Sequence, residues 1–206
     1  MKTLILEFKD FTKVKEIVEN DGVVAFPTET VYGLGVRYDS FLAYNKIFEA
    51  KQRPENKTLT LMLHDKNDID KYVIVTPKVR KLIDCFMPGE VTIVLPKRND
   101  VEVYGSEETI GLRIPDSEET LRFLKNISIP MFVTSANLSG LPAATTFPEV
   151  VAQLDNRIEV IVKGEANNKV ASTVFSVLDD KITILREGPV SLTELERVYN
   201  SWLIKL

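Results

Sequence analysis

Four polar segments, each beside an apolar run, hold the residues whose types and spacing suit chemistry. The first is Phe26-Pro-Thr-Glu-Thr30-Val-Tyr-Gly-Leu-Gly35, where two hydroxyls and a carboxylate precede two glycines. Such a stretch can present donors and acceptors while bringing backbone close to a ligand, or it can be a tight turn leaving a strand. The second, Lys51-Gln-Arg53-Pro54 with Lys57 beyond, places three cations within seven residues. It reads as an anion site or as cations satisfying a helix C-terminus. The third is Thr109-Ile-Gly-Leu-Arg113-Ile-Pro115. Strand alternation puts Ile110, Leu112 and Ile114 on one face and Thr109, Gly111 and Arg113 on the other. The glycine leaves room below a guanidinium suited to carboxylate or phosphate, and the alternative is an exposed arginine on a surface strand. The fourth, Thr134-Ser-Ala-Asn137-Leu-Ser-Gly140, offers side chains that cap a helix or bond a substrate. Ser172-Thr173 and Arg186, at the ends of a late strand pair, are placed to join the same cleft. Together these residues point to a polar pocket for a small anionic ligand, without identifying it.

Other chemistries lack their residues. Gly33-Leu-Gly35 continues as Val-Arg-Tyr38, so the dinucleotide fingerprint fails, and neither a phosphate-binding G-x-x-x-x-G-K-[ST] nor a G-x-S-x-G elbow occurs. His64 is the only histidine and Cys85 the only cysteine, which disfavours a His/Cys zinc site. His64 reads as an exposed strand-end residue and Cys85 as an inert thiol on a helix face.

The elements that must position these segments alternate in type. Helices are expected over Thr12–Asn20 with Gly22 as its stop, after Ser40, and after Thr76-Pro77. Asp116-Ser-Glu-Glu119, Thr146-Phe-Pro-Glu149 and Ser191-Leu-Thr-Glu194 each fit a capping box and predict a following helix. Strands are expected near the N-terminus and over Val23–Phe26, Leu59–Leu63, Val91–Leu95, Thr109–Ile114, Met131–Thr134, Ile158–Val162, Ser172–Leu178 and Ile182–Leu185. The last two are joined by a turn at Asp179-Asp-Lys181. The pattern is α/β with a mixed sheet. No repeat or long linker divides it, so a single domain over 1–206 is expected.

Composition narrows the class further. Of 206 residues, 44% are hydrophobic and 27% charged, an ordinary globular balance. No apolar run is long enough for a membrane span, and the first residues lack the apolar region of a signal peptide. With one cysteine, no intrachain disulfide can form, and a cytoplasmic location is expected. A net charge of −4, from 26 basic and 30 acidic residues, favours a small-molecule enzyme over a protein that coats nucleic acid.

In order and spacing, the motifs resemble the YrdC-domain family, whose catalytic members are threonylcarbamoyl-AMP synthases of the TsaC type. The likeness rests on PTETVYGLG (Pro27–Gly35), the K-x-R of Lys51 and Arg53, Pro88-Gly89, the S-x-N of Ser135 and Asn137, Ser172-Thr-Val174 and Leu185-Arg-Glu-Gly-Pro189. It implies a YrdC/RibB-like fold, a twisted mixed sheet with flanking helices around a deep cleft. By the same resemblance, Lys51 and Arg53 are the catalytic pair. Arg53, Lys57, Thr109, Ser135, Asn137, Ala143 and Arg186 would bind ATP, while Thr30, Met62, Arg113, Val133 and Ser172 would surround threonine. Mg²⁺ would accompany ATP, with metal ligands unassigned.

The implied reaction joins L-threonine, bicarbonate and ATP into threonylcarbamoyl-adenylate and pyrophosphate. The product would pass to a TsaD-type transferase for tRNA modification, with at most weak direct contact with RNA. The chain departs from many relatives in carrying Met62 where they have a histidine and Lys51-Gln-Arg-Pro54 where they read K-G-R-P, and the extra C-terminal domain of the long members is not expected after the helix near Trp202. A YciO-like paralogue of other activity and a non-catalytic RNA-binding module are the alternatives.

Overall fold

The computed structural model describes residues 2–52, 58–105, 108–166 and 170–201. Its strands are β1 (Leu4–Leu6), β2 (Val24–Phe26), β3 (Gly33–Arg37), β4 (Thr60–Met62), β5 (Val91–Pro96), β6 (Thr109–Arg113), β7 (Met131–Ser135), β8 (Val160–Val162), β9 (Thr173–Leu178) and β10 (Lys181–Arg186). The helices are α1 (Phe11–Glu19), α2 (Phe41–Lys51), α3 (Pro77–Phe86), α4 (Glu118–Ile127), α5 (Phe147–Leu154) and α6 (Leu192–Tyr199), with a 3₁₀ turn at Lys66–Lys71.

Local chemistry sets most of the boundaries. Ser40 Oγ accepts from Ala43 N at 3.2 Å and starts α2, and Thr76 Oγ1 accepts from Val79 N at 3.3 Å ahead of Pro77 in α3. The boxes at Thr146/Glu149 and Ser191/Glu194 both form. The third expected box does not form, because Ser117, not Asp116, caps α4 by accepting from Thr120 N, which puts Thr120 and not Glu119 at the third helical position. The stop after α1 also shifts. Asp21 takes the left-handed φ of 59°, and Gly22 N closes the helix by donating to Ile17 O at 2.8 Å. Asp179 and Asp180 both hold positive φ, so the β9–β10 hairpin turns on these two residues and Lys181 is already paired with Leu178.

The strands form one sheet in the order β1-β8-β2-β3-β7-β4-β6-β5-β9-β10. Four pairings are parallel (β1·β8, β2·β8, β4·β6, β5·β9) and the rest antiparallel, so the sheet is mixed as expected. β3 is a correction: the segment read as a loop after β2 returns along it as a strand, with Ala25 opposite Leu34. Glycine explains this. A Cβ on Gly35 would lie 2.8 Å from Met131 Cε and 3.0 Å from a Phe26 ring atom, so a bare backbone lets the strand lie close against these side chains. The fourth polar segment is not followed directly by a helix; α5 begins only at Phe147. The last helix ends at Tyr199, and Trp202 lies outside the described residues.

Side-chain alternation divides the two faces. On one, Ala25, Leu34, Leu61, Ile93, Leu112, Phe132, Ile161 and Phe175 pack against α2, α3, α5 and α6 in a continuous core. On the other, Val24, Phe26, Met62, Met131, Val133, Val160 and Val162 pack against α1 and α4. These two helices cover β8, β2, β3, β7 and part of β4. The same face of β6, β5 and β9 has no helix over it among the described residues. Among those residues, too, no helix is long and apolar enough to cross a membrane.

Candidate functional site

A cavity of about 460 Å³ lies over that uncovered part of the sheet. Its floor follows from strand alternation. Thr60 and Met62 of β4, Gly111 and Arg113 of β6, Thr92 and Val94 of β5, Val133 and Ser135 of β7, and Val174 of β9 all face it. Small and hydroxyl side chains alternate there with the apolar residues of the core behind. The walls come from Thr28 and from Val31 to Gly33, from Lys51, from the turn after β7 and from Arg186 at the end of β10.

At one end, Lys51 is only 2% exposed and reaches from the last turn of α2. Its ammonium donates to Ser135 O, to Asn137 O at 2.8 Å and to Asn137 Oδ1 at 3.2 Å. Ser135 Oγ donates to the same Oδ1 at 2.6 Å, and Asn137 Nδ2 donates to Leu138 O and Leu141 O, both at 2.8 Å. The K-x-R lysine and the S-x-N pair thus form one satisfied knot that fixes the turn's shape. Arg53 and Lys57, expected beside Lys51, lie outside the described residues.

Across the floor, Arg186 donates from Nε and Nη2 to Ser172 O at 3.0 and 2.8 Å and from Nη2 to Ser172 Oγ at 3.0 Å. Ser172 Oγ lies 3.1 Å from Thr92 Oγ1. Gly188 permits this closure: a Cβ there would sit 2.3 Å from Thr173 N. Burial first, then the Arg113 cation nearby, hold the Arg186 guanidinium below its ordinary pKa. It forms no ion pair with a carboxylate among the described residues, so an anion at this end meets an uncompensated charge.

Arg113 is 6% exposed, and its Nη2 donates to Glu29 Oε1 and Thr30 Oγ1, each at 2.8 Å. Thr30 Oγ1 also lies 3.0 Å from Thr28 Oγ1. Met62 and Val133 supply apolar wall beside the arginine, Met62 pairing in register with Arg113.

Of the residues expected to hold threonine, Met62, Arg113, Val133 and Ser172 therefore share the cavity, while Thr30 sits fully buried behind Arg113 and Thr28 takes the wall. Of those expected to hold ATP, Ser135, Asn137 and Arg186 share it. Thr109 instead lines a small adjoining hollow with Thr58 and Tyr104, because it opens β6 beyond the cavity's edge. Ala143 is off the wall, although the next residue's carbonyl accepts from Tyr32 N at 2.9 Å and ties that loop to the cavity. Ser139 and Gly140 of the fourth segment line it too, whereas Thr60, Thr92 and Val94 were missed. Alternation along β4 and β5, compared with β6, was the signal that could have found them. His64 and Cys85 are both off the wall. Cys85 is exposed, beside a second hollow formed with Glu29, Glu90 and Asp116.

Comparison with known proteins follows from this geometry. The Sua5/YciO/YrdC family model, described as telomere recombination, matches residues 16–188. A Methanocaldococcus jannaschii relative is 34% identical over 194 residues, covering 94% of this chain and 90% of its own length. The Bacillus subtilis threonylcarbamoyl-AMP synthase is 37% identical over 187 residues, which are 88% of this chain and 54% of that protein. The crystal structure of Pyrococcus abyssi Sua5 complexed with L-threonine superimposes with a TM-score of 0.88 at 32% identity, over 95% of this chain and 61% of that one. The chain thus spans little more than half of the latter two proteins and most of the first.

Proposed function

The chain belongs to the Sua5/YciO/YrdC family, and from that membership we propose that it is a threonylcarbamoyl-AMP synthase, converting L-threonine, bicarbonate and ATP into threonylcarbamoyl-adenylate and pyrophosphate. One observation carries the reading. A single cavity holds two arginines in different electrostatic states, Arg113 neutralised by a buried carboxylate and Arg186 uncompensated. The first suits the carboxylate of an amino acid flanked by apolar wall, and the second suits the denser charge of phosphate. The P. abyssi relative's bound L-threonine supports the same assignment.

In this reading the threonine amine captures bicarbonate as a carbamate with loss of water, its carboxylate on Arg113 and its side chain near Met62 and Val133. A carbamate oxygen then attacks the α-phosphorus of ATP, and the bond to the β-phosphate oxygen breaks to release pyrophosphate. No carboxylate or histidine lines the described wall, so positioning and fixed charge dominate over proton transfer. Arg186 serves the phosphates together with Arg53 and Lys57, while Lys51 holds the Ser135–Asn137 turn and adds its charge from within. Mg²⁺ belongs to the MgATP substrate. The wall offers hydroxyl, amide and carbonyl oxygens, and no cluster of three His, Cys, Asp or Glu suited to a metal occurs among the described residues, a set that fits an ion carried by phosphate oxygens. The adenylate would pass in the cytoplasm to a TsaD-type transferase that modifies tRNA.

Pyrophosphate release from ATP tests this directly. Release should require both threonine and bicarbonate. ATP turnover indifferent to threonine would instead favour a YciO-like activity, and salt-sensitive RNA binding without turnover would favour the binding module.

A further inference from the structure

Every residue from Gly22 to Val36 is buried, and within that run stands one carboxylate, Glu29, 5% exposed. A charge there is costly unless it is paired. Its pairing is incomplete: Oε1 accepts from Arg113 Nη2 at 2.8 Å, while Oε2 has no partner, and neither has Arg113 Nε. The pair is therefore held through one nitrogen and is not the two-bond fork that would give both groups their best energy. Nη2 is shared with Thr30 Oγ1, so Arg113 has two anchors on one nitrogen while its side chain also lines the cavity. Glu29 itself is absent from the cavity wall and touches the separate hollow beside Glu90 and Asp116. Its link to the cavity runs through Arg113.

Resting on the synthase reading, we propose that Glu29 is a positioning residue that sets the affinity and orientation of the amino-acid substrate by holding Arg113. The backbone around it is built for this. Thr120 Oγ1 donates to Pro27 O at 3.1 Å, and Thr28 Oγ1 donates to Val31 O at 2.7 Å, which fixes the segment carrying both anchors. Length and acceptor position at residue 29 therefore matter more than charge for aiming the Arg113 guanidinium. Glu29 also cancels one positive charge at the amino-acid end, which leaves the phosphates drawn to the Arg186 end.

The test compares Glu29→Asp, Glu29→Gln and Glu29→Ala in the full chain, measuring threonine binding by calorimetry and the KM for threonine and for ATP separately. Glu29→Asp withdraws the acceptor by one methylene, and about a 10-fold or greater rise in threonine KM and Kd is expected, with ATP KM changed less than about 3-fold. Glu29→Gln keeps an acceptor at the same reach and should restore threonine affinity to within about 3-fold of the wild type. Should Glu29→Ala fail to fold because Arg113 is left unpaired, the other two variants decide the matter. Folded Asp and Gln variants with wild-type threonine KM, or with equal losses for threonine and ATP, would overturn the proposal. A wild-type protein that binds threonine but makes no adenylate would overturn the synthase reading alone, since the binding comparison still stands. A wild type that binds no threonine overturns both.

Discussion

At the scale of single residues, the site divides into groups spent on the protein and groups left for a ligand. Lys51 belongs to the first kind. Replacing it with Met keeps the volume but takes the ammonium from Ser135 O and Asn137 O and leaves Asn137 Oδ1 to Ser135 Oγ alone. We expect about 2–4 kcal/mol lower stability by urea denaturation together with impaired turnover. Unchanged stability with lost turnover would return Lys51 to direct contact with substrate. Arg113 belongs to the second kind. Arg113→Ala should raise threonine KM by about 10–100-fold, the range of a lost charge-assisted hydrogen bond, while ATP KM moves little. The opposite pattern would mean that the ends of the cavity are reversed. The family likeness gave the two residues different roles, but the sequence could not show that the Lys51 donors are already bonded, because that depends on where β7 and the turn after it come to lie. Glu29 was visible only as one carboxylate in a polar segment. Its importance comes from burial, which no local pattern encodes.

At the scale of elements, the start signals of helices were the most legible feature, since capping needs only residues within four positions of one another. Strands bounded by apolar alternation were legible as well, Thr109–Arg113 above all, with Gly111 and Arg113 on the cavity face as the pattern requires. β3 escaped because its two glycines read as loop, and only the neighbouring Phe26, Met131 and Val133 make them a strand. Gly188 is the corresponding device on the other side of the cavity. Gly188→Ala would drive a Cβ into the Thr173 backbone and displace Ser172 and Arg186. A lowered melting temperature and a several-fold rise in ATP KM should accompany each other; a rise in threonine KM alone would contradict the placement of Arg186.

The docking of α6 carries its own signature. Tyr199 donates to Asp180 Oδ1 at 2.8 Å, and its phenol is pushed up to about 12, by burial first and then by Asp180. The unfolded chain releases that proton near pH ~10, so the folded state holds it more tightly. Its stabilisation is complete below pH ~10 and lost as pH rises toward 12. Midpoints of unfolding across that window should fall more steeply for the wild type than for Tyr199→Phe, and parallel curves would refute the assignment.

For the molecule as a whole, function follows from an incomplete layer. Four helices cover one face of the sheet from β8 to β10, whereas α1 and α4 cover the second face only as far as β4. Over β6, β5 and β9 the second face carries Thr92, Gly111, Arg113 and Val174 and opens as the cavity. The α/β class and the mixed sheet could be read from the order of elements. The strand order could not, since it depends on long-range pairing such as β3 with β7 and β5 with β9. Without that order, the four polar segments pointed to one anionic pocket whose ligand could not be named. The family likeness supplied the ligand, and the sheet explains why the segments meet.

The account rests on one product. Incubation of the purified chain with MgATP, L-threonine and ¹³C-bicarbonate, followed by mass analysis of the nucleotides, should yield an adenylate carrying both the threonine mass and the heavy carbon, in step with pyrophosphate. Adenylate formed without the heavy carbon, or ATP left intact while threonine is bound, would contradict it.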